Sequence, residues 1–238
     1  MEATEPPTHL PDHTRELLDL AGDRALLSRS STAERVADVL RSRIAEGYFS
    51  PGARLPEDAI RGALGVSRNT LREAFRLLTH ERLLAHELNR GVFVRVLTLD
   101  DAVDLYRVRQ VIECAVVEKV GEPPPDLTAL REAVKAGRAA ARHRDWQGLG
   151  TANIRFHQAI ANLSGSSRIE ELMRGLLAEL RLVFHVMADP RSFHEPYLDR
   201  NIEILHTLEE GDGKTARRLL SAYLDDAQTQ LVETYTNV

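Results

Sequence analysis

The chain has 238 residues, 43% of them hydrophobic and 28% charged, with a formal net charge of −5. That length suits two domains of ordinary size, each with its own core. No apolar run approaches the ~18 residues of a membrane span, and a single cysteine, Cys114, excludes an intrachain disulfide.

Residues 1–31 carry Pro6, Pro7 and Pro11 among acidic residues and threonines, the pattern of a flexible N-terminal arm. Within it, 15–27 has a weak helical pattern. No basic region followed by an apolar stretch opens the chain, so a secretory signal is not expected and the cytoplasm is.

Ala33, Val36, Val39, Leu40 and Ile44 form the stripe of an amphipathic helix that Gly47, Pro51 and Gly52 break. Glu57 to Leu64 fits a short second helix ending at Gly65. Gly65-Val66-Ser67 is then a tight turn whose serine caps a third helix. The third helix opens with Arg68, Asn69, Thr70 and Arg72, side chains suited to guanine edges, adenine edges and phosphates. Leu71, Phe75 and Leu78 pack its other side. Two extended runs follow, Leu83 to Leu88 and Val92 to Val96, joined by Asn89-Arg90-Gly91, where asparagine and glycine tolerate positive φ. Three helices and a hairpin in this order predict a winged helix-turn-helix over 32–97, with the third helix as recognition helix in the major groove. The plain alternative is a small helical domain whose arginines are merely solvated. It is disfavoured because turn, cap, arginines and wing fall in register. The charge distribution agrees: 32–97 hold 11 arginines against 8 acidic residues, while both flanking segments are acidic. An excess this modest predicts binding through a dimer rather than through bulk charge.

Thr98 to Asp101 reads as a capping box that opens a second domain over 98–238. Six helical patterns follow, over roughly 99–121, 126–143, 145–163, 168–188, 194–210 and 213–235, and no strand pattern. The fold class is therefore mainly α, a winged helix-turn-helix joined to an antiparallel helical bundle. Polar residues sit on the apolar stripes of that bundle: Arg109 on the first helix, Asn153 and His157 on the third, Asn201 on the fifth and Tyr223 on the sixth. Buried polar groups need partners, so these five are expected to meet in one cavity suited to a carboxylate, clamped by the arginine and hydrogen-bonded by the rest. Each also has a plain reading. His157 is then a satisfied core histidine, Arg109 pairs with Glu113 four residues on, and Tyr223 packs with its hydroxyl bonded to a neighbour. Cys114, in an apolar helix, is read as inert packing.

Residues 32–97 resemble the DNA-binding domain of the GntR family of bacterial transcription regulators. The resemblance rests on Pro51-Gly52-Ala53-Arg54-Leu55, Leu64-Gly65-Val66-Ser67-Arg68, Leu71-Arg72-Glu73-Ala74 and Asn89-Arg90-Gly91-Val92-Phe93-Val94. The helical remainder resembles the FadR-type (FCD) effector domain, in its shorter, VanR-like six-helix form. The resemblance implies a ligand-responsive regulator whose homodimer sets two recognition helices on a palindromic operator in double-stranded DNA, with repression released by a small organic acid. Arg68 and Arg72 would read bases, and Ser67, Asn69 and Thr70 would hold phosphates or read neighbouring bases. Arg54 would touch the backbone, and Arg90 with Gly91 would bring the wing to the minor groove. The stretch from Leu55 to Leu64 is about a residue shorter than is usual in the family, so Glu57 receives no base contact.

Asn153 and His157, one helical turn apart, resemble the family's acid-x-x-x-His element, which with two further histidines ligates a divalent metal. Here those two places fall on Asn201 and Tyr223, and His206 faces away from Asn201. One imidazole with two amides and a phenol is a poor set for zinc or nickel. No cofactor is therefore required. A weakly held zinc or nickel ion on Asn153 and His157 is the metal reading that remains. The competing function is an enzyme or metal-handling protein that uses the helical pocket. Against it, the sequence offers no nucleophile–base pair, no paired-carboxylate element and no complete ligand set. A third reading, a domain that only dimerises, predicts a pocket filled by side chains.

Overall fold

The computed structural model describes residues 31–184 and 190–236. All of the expected arm except Ser31, with its helical pattern over 15–27, lies outside the described residues.

Helix α1, Thr32–Ala45, starts at a full capping box: Ser31 accepts from Glu34 N–H, and the Glu34 carboxylate accepts from Ser31 N–H. Val36, Ala37, Leu40 and Ile44 are buried along it. Val39, expected on that stripe, is 46% exposed instead. Leu40 already continues the face from Val36, and position 39 falls about 100° of helical rotation away from it.

Strand β1, Arg54–Leu55, precedes α2, Glu57–Leu64. Gly65 ends α2 in the left-handed region, φ 63°, which reverses the chain within three residues. Ser67 then caps α3, Arg68–His80, whose Leu71, Ala74, Phe75 and Leu78 are buried. Strands β2, Leu84–Glu87, and β3, Gly91–Val94, form the hairpin, with Asn89 at φ 61° and Gly91 at φ 111°. The sheet is antiparallel in the order β1-β3-β2, with Leu55 opposite Val92 and Leu84 opposite Val94. The winged helix-turn-helix is as the sequence predicts, with β1 added. Two residues between Pro51-Gly52 and Pro56 are too short to show a strand period.

Six helices follow: α4 Leu99–Val117, α5 Thr128–Arg142, α6 Trp146–Asn162, α7 Ser167–Phe184, α8 Pro190–Glu209 and α9 Gly213–Thr236. α5 packs on α6, α9 on α4 and α8, and α7 on α6. α8 begins four residues before the expected 194, which brings His194 inside a helix. No helix among the described residues is long and apolar enough to cross a membrane.

The two parts of the chain touch through α7, which also packs on α1. Arg95, after the wing, donates to Asp101 at 2.7 Å and lies 3.5 Å from Glu179 of α7. Burial pushes the Glu179 carboxyl up to about 7 against the pull of Arg95. Gln147, in the first turn of α6, donates to the carbonyl of Glu46 at 2.7 Å. Tyr235 donates to the carbonyl of Leu97 at 3.2 Å.

Candidate DNA interface and buried polar cluster

The start of α3 combines a fixed backbone with free side chains. Ser67 Oγ accepts from Thr70 N–H at 3.1 Å, and the two hydroxyls are 2.7 Å apart. Ser67 thereby shapes the helix start while remaining exposed. Arg68, Asn69 and Arg72 are exposed. Arg68 lies 3.3 Å from Asp58 and 3.7 Å from Glu57, and Arg72 donates to Glu57 at 2.9 Å. The Arg68 side chain keeps 56% of its surface in water. Screened pairs of this kind contribute about 0–1 kcal/mol and exchange partners readily. Glu57, which the sequence left without a role, thus holds both arginines from α2.

On the wing, Arg90 pairs with Glu87, and its guanidinium lies 5.5 Å from the Phe93 ring centroid. A Cβ on Gly91 would stand 3.3 Å from Arg54 Nε, so glycine lets Arg54 lie close along the wing. An open groove of about 820 Å³ runs between α3 and the wing, with Arg54, Arg72, Arg76 and His86 among its walls and Phe75 in its floor. Three arginines over an apolar floor, with Glu57 beside them, fit the sugar-phosphate backbone of a nucleic acid.

The helical part encloses its charges. Arg109, 1% exposed, donates from Nε to Glu113 at 2.7 Å. The other Glu113 oxygen lies 2.6 Å from His157 Nδ1. His157 Nε2 lies 3.0 Å from the Tyr223 hydroxyl, which is 2.9 Å from Asn153 Oδ1, and Asn201 donates to the same oxygen at 2.7 Å. The structure thus brings Arg109, Asn153, His157, Asn201 and Tyr223 together, with Glu113 at the centre.

Burial alone would raise the Glu113 carboxyl. Arg109 and His157 outweigh it and hold Glu113 below the usual carboxylate range. Burial lowers His157, despite the opposing pull of Glu113, and favours the neutral ring. Burial raises the Tyr223 phenol. The single phenolic proton faces two acceptors, His157 Nε2 and Asn153 Oδ1. A neutral imidazole draws it to Nε2, and an imidazolium releases it to Asn153.

The organic-acid cavity expected here is closed, the outcome that the dimerisation-only reading predicts. The carboxylate on Arg109 is the chain's own Glu113, and a void of about 10 Å³ between Asn153, Asn201, His194 and Leu198 is what remains. That volume suits one water, not an effector. Two hydrogen-bonding atoms of the cluster stay unfilled, Arg109 Nη2 and Asn201 Oδ1. The residues present do not fit a metal ion. Both His157 nitrogens and both Glu113 oxygens already have partners, and the other donors are neutral oxygens. Among the described residues no group of three or more histidine, cysteine, aspartate or glutamate side chains converges. His206 is exposed beside Glu209, away from the cluster. Burial pushes the Cys114 thiol up to about 11, which makes it unreactive.

Sequence reasoning placed Glu113 only as a plain partner of Arg109, noted His194 near the expected metal positions without giving it a role, and passed over Arg181; both are buried. The available signal for Arg181 was its place within the apolar run Leu180 to Phe184.

Comparison with known proteins agrees with both halves of the geometry. The model of bacterial regulatory proteins of the gntR family matches residues 32–94, and the FCD domain model matches 104–226. The chain is 27% identical to the gluconate operon transcriptional repressor of Bacillus licheniformis, over 85% of this chain and 86% of that protein. Its counterpart from Bacillus subtilis (strain 168) is 31% identical over 66% of this chain and 65% of the relative. A GntR transcriptional regulator from Rhodococcus sp. RHA1, of known crystal structure, superposes with a TM-score of 0.82 at 50% identity, covering 87% of this chain and all of that one.

Proposed function

The chain belongs to the gntR family of bacterial regulatory proteins and carries an FCD domain, and from that premise we propose a repressor that a small hydroxylated carboxylate releases from DNA. The family and the relatives are transcription regulators, not enzymes. The proposed DNA contacts are base readout by Arg68 and Arg72, phosphate or neighbouring-base contacts by Ser67, Asn69 and Thr70, backbone contact by Arg54, and a minor-groove wing at Arg90 and Gly91. The observation that carries the reading is the capped start of α3. Its backbone is fixed by Ser67 while Arg68 and Arg72 stay exposed beside the groove. A homodimer would set two such helices one helical turn apart on a palindrome.

The effector reading rests on the unfilled atoms of the buried cluster. Arg109 Nη2 can donate and Asn201 Oδ1 can accept. A carboxylate oxygen answers the first and a hydroxyl the second, with Asn153, His157 and Tyr223 completing the wall. The relatives named for a gluconate operon support the same ligand class. Since the void is closed, ligand entry requires α8 to move from α6. A ligand that binds only the open form shifts the population by its differential affinity, and DNA must weaken the ligand by the same factor. No metal ion takes part in this reading.

The test is fluorescence anisotropy with a labelled duplex from the DNA upstream of the protein's own gene, against a scrambled duplex of equal length. Tight binding to the first alone is expected, with gluconate weakening it. Arg68→Ala should cost about 1–3 kcal/mol, roughly 5- to 150-fold in affinity, with helical content unchanged. Equal affinity for both duplexes, or an unaffected Arg68→Ala protein, overturns the reading.

A further inference from the structure

Two arginines are buried among the described residues, and one of them, Arg109, keeps a carboxylate in Glu113. The half-buried Arg95 has Asp101 and Glu179. Arg181, in the last turn of α7 and 4% exposed, forms no ion pair among the described residues. Its Nη2 donates to the carbonyl of Gln147 at 3.3 Å, and its Nε has no partner. Asp145 is the acid whose field Arg181 feels, but Asp145 Oδ1 caps α6 by accepting from Gly148 N–H at 2.8 Å.

A second basic group sits on the same spot. His194 is 3% exposed and its Nδ1 has no partner. Its ring lies against Phe184 and Phe193, 4.8 and 5.2 Å between centroids. Gly150 of α6 brings the two together: a Cβ there would stand 2.5 Å from Arg181 Nη1 and 2.8 Å from His194 Nε2. The N-terminal end of α6, beside them, adds partial positive charge of its own. A guanidinium and a neutral imidazole with unfilled nitrogens therefore converge, and among the described residues the acid whose field reaches Arg181, Asp145, is committed to its cap. A buried guanidinium without an ion pair destabilises the fold.

We propose that Arg181 and His194, at the N-terminal end of α6, form a binding site for a small oxyanion, inorganic or carboxylate, that supplies the missing charge. Arg181 Nε and His194 Nδ1 are the unfilled donors, and glycine at 150 keeps backbone in reach of both. Burial and then Arg181 hold His194 down at about 3, so the ring donates one proton as it stands, and a bound anion would raise its proton affinity. The site has a route to the DNA-binding part. Arg181 holds the carbonyl of Gln147, and the Gln147 side chain holds the end of α1 through Glu46. An anion that draws Arg181 away loosens that joint. His194 also borders the small void beside Asn153 and Asn201, but Arg181 does not, and the proposal does not rest on the effector reading.

The test is thermal unfolding of the full chain at constant ionic strength, with chloride exchanged stepwise for phosphate, sulfate, acetate or gluconate. The site predicts a saturable rise in Tm, on the order of 5–10 °C at a hundredfold excess over Kd, with at least one of these anions. General salting effects are not saturable. Phosphate or sulfate acting alone identifies an inorganic ligand, and acetate or gluconate a carboxylate. Arg181→Met should abolish the rise and should match or exceed the wild-type Tm in chloride, because it removes an uncompensated charge. Arg109→Met should keep the rise, which separates this site from the effector cavity. A wild-type chain that gains no more from oxyanions than from chloride overturns the proposal. So does Arg181→Met that keeps the full rise or fails to fold in chloride. His194→Leu, which retains the guanidinium, should weaken the anion by about tenfold, and an unchanged affinity removes His194 from the site.

Discussion

The same pair of side chains, arginine and glutamate, appears twice in opposite settings. At the proposed DNA face, Arg72 meets Glu57 at 2.9 Å with both groups partly in water. In the helical part, Arg109 meets Glu113 at 2.7 Å with neither in water. The distances are nearly equal and the consequences are not. The exposed pair is screened and exchangeable, so an incoming phosphate or guanine can take the arginine. The buried pair has no solvent to replace either partner, and it fixes α4 against α6 and α9 through His157 and Tyr223. Ion-pair geometry alone does not separate a binding group from a structural one. Access to water does.

The largest test of that contrast is Glu113→Gln. The substitution keeps the shape and leaves Arg109 buried without a counter-charge, so urea unfolding should show a loss of about 3–5 kcal/mol. A loss below about 1 kcal/mol would mean that the cluster relaxes into water like the surface pair.

Next in size is an acid limb in stability. His194 is held at about 3 in the folded chain, against about 6.5 unfolded. Between those values the unfolded chain binds the extra proton, so stability is lost as pH falls below 6.5. One histidine so placed costs about 2 kcal/mol between pH 6.5 and 5. Lowered His157 has the same sign, and Glu179, raised to about 7, has the opposite one. The difference between wild type and His194→Gln, measured in chloride, therefore isolates His194. Parallel pH profiles would show that its ring is hydrated.

The same contrast explains what the sequence made legible. The DNA-facing part is built from local signals. Gly65 reverses the chain, Ser67 caps, Leu71, Phe75 and Leu78 mark one face, and Asn89 with Gly91 makes the hairpin. Each acts within a few residues, so α2 and α3 fall where expected. The helical part depends on contacts between distant helices. Arg109, Asn153, His157, Asn201 and Tyr223 stood out as polar residues on apolar stripes, and the structure does bring them together. That Glu113 fills their centre was not legible, because an arginine and a glutamate four residues apart read equally well as a solvated pair. Nor was the role of His194, which a helix start placed at 194 left at the rim. Burial on both sides of a helix is set by its neighbours, and periodicity along one chain does not report it.

The smallest effect tests whether the exposed pairs are exchangeable at all. Glu57 touches Arg68 and Arg72 together, at 3.7 and 2.9 Å. In Glu57→Gln the fold should lose less than about 1 kcal/mol, as exposed pairs do. Two roles for Glu57 predict opposite changes in DNA binding. If it competes with phosphate, its removal strengthens binding to any duplex by a few-fold at low salt, and the gain fades as salt screens the lost repulsion. If it aims the two arginines at bases, affinity for the cognate duplex falls while scrambled DNA is unaffected. The exposure of both arginines favours competition, so the expected result is a rise on both duplexes with their ratio unchanged. Anisotropy titrations of both duplexes at two salt concentrations decide it. A fall confined to the cognate site would make this surface pair as fixed in function as the buried one is in structure.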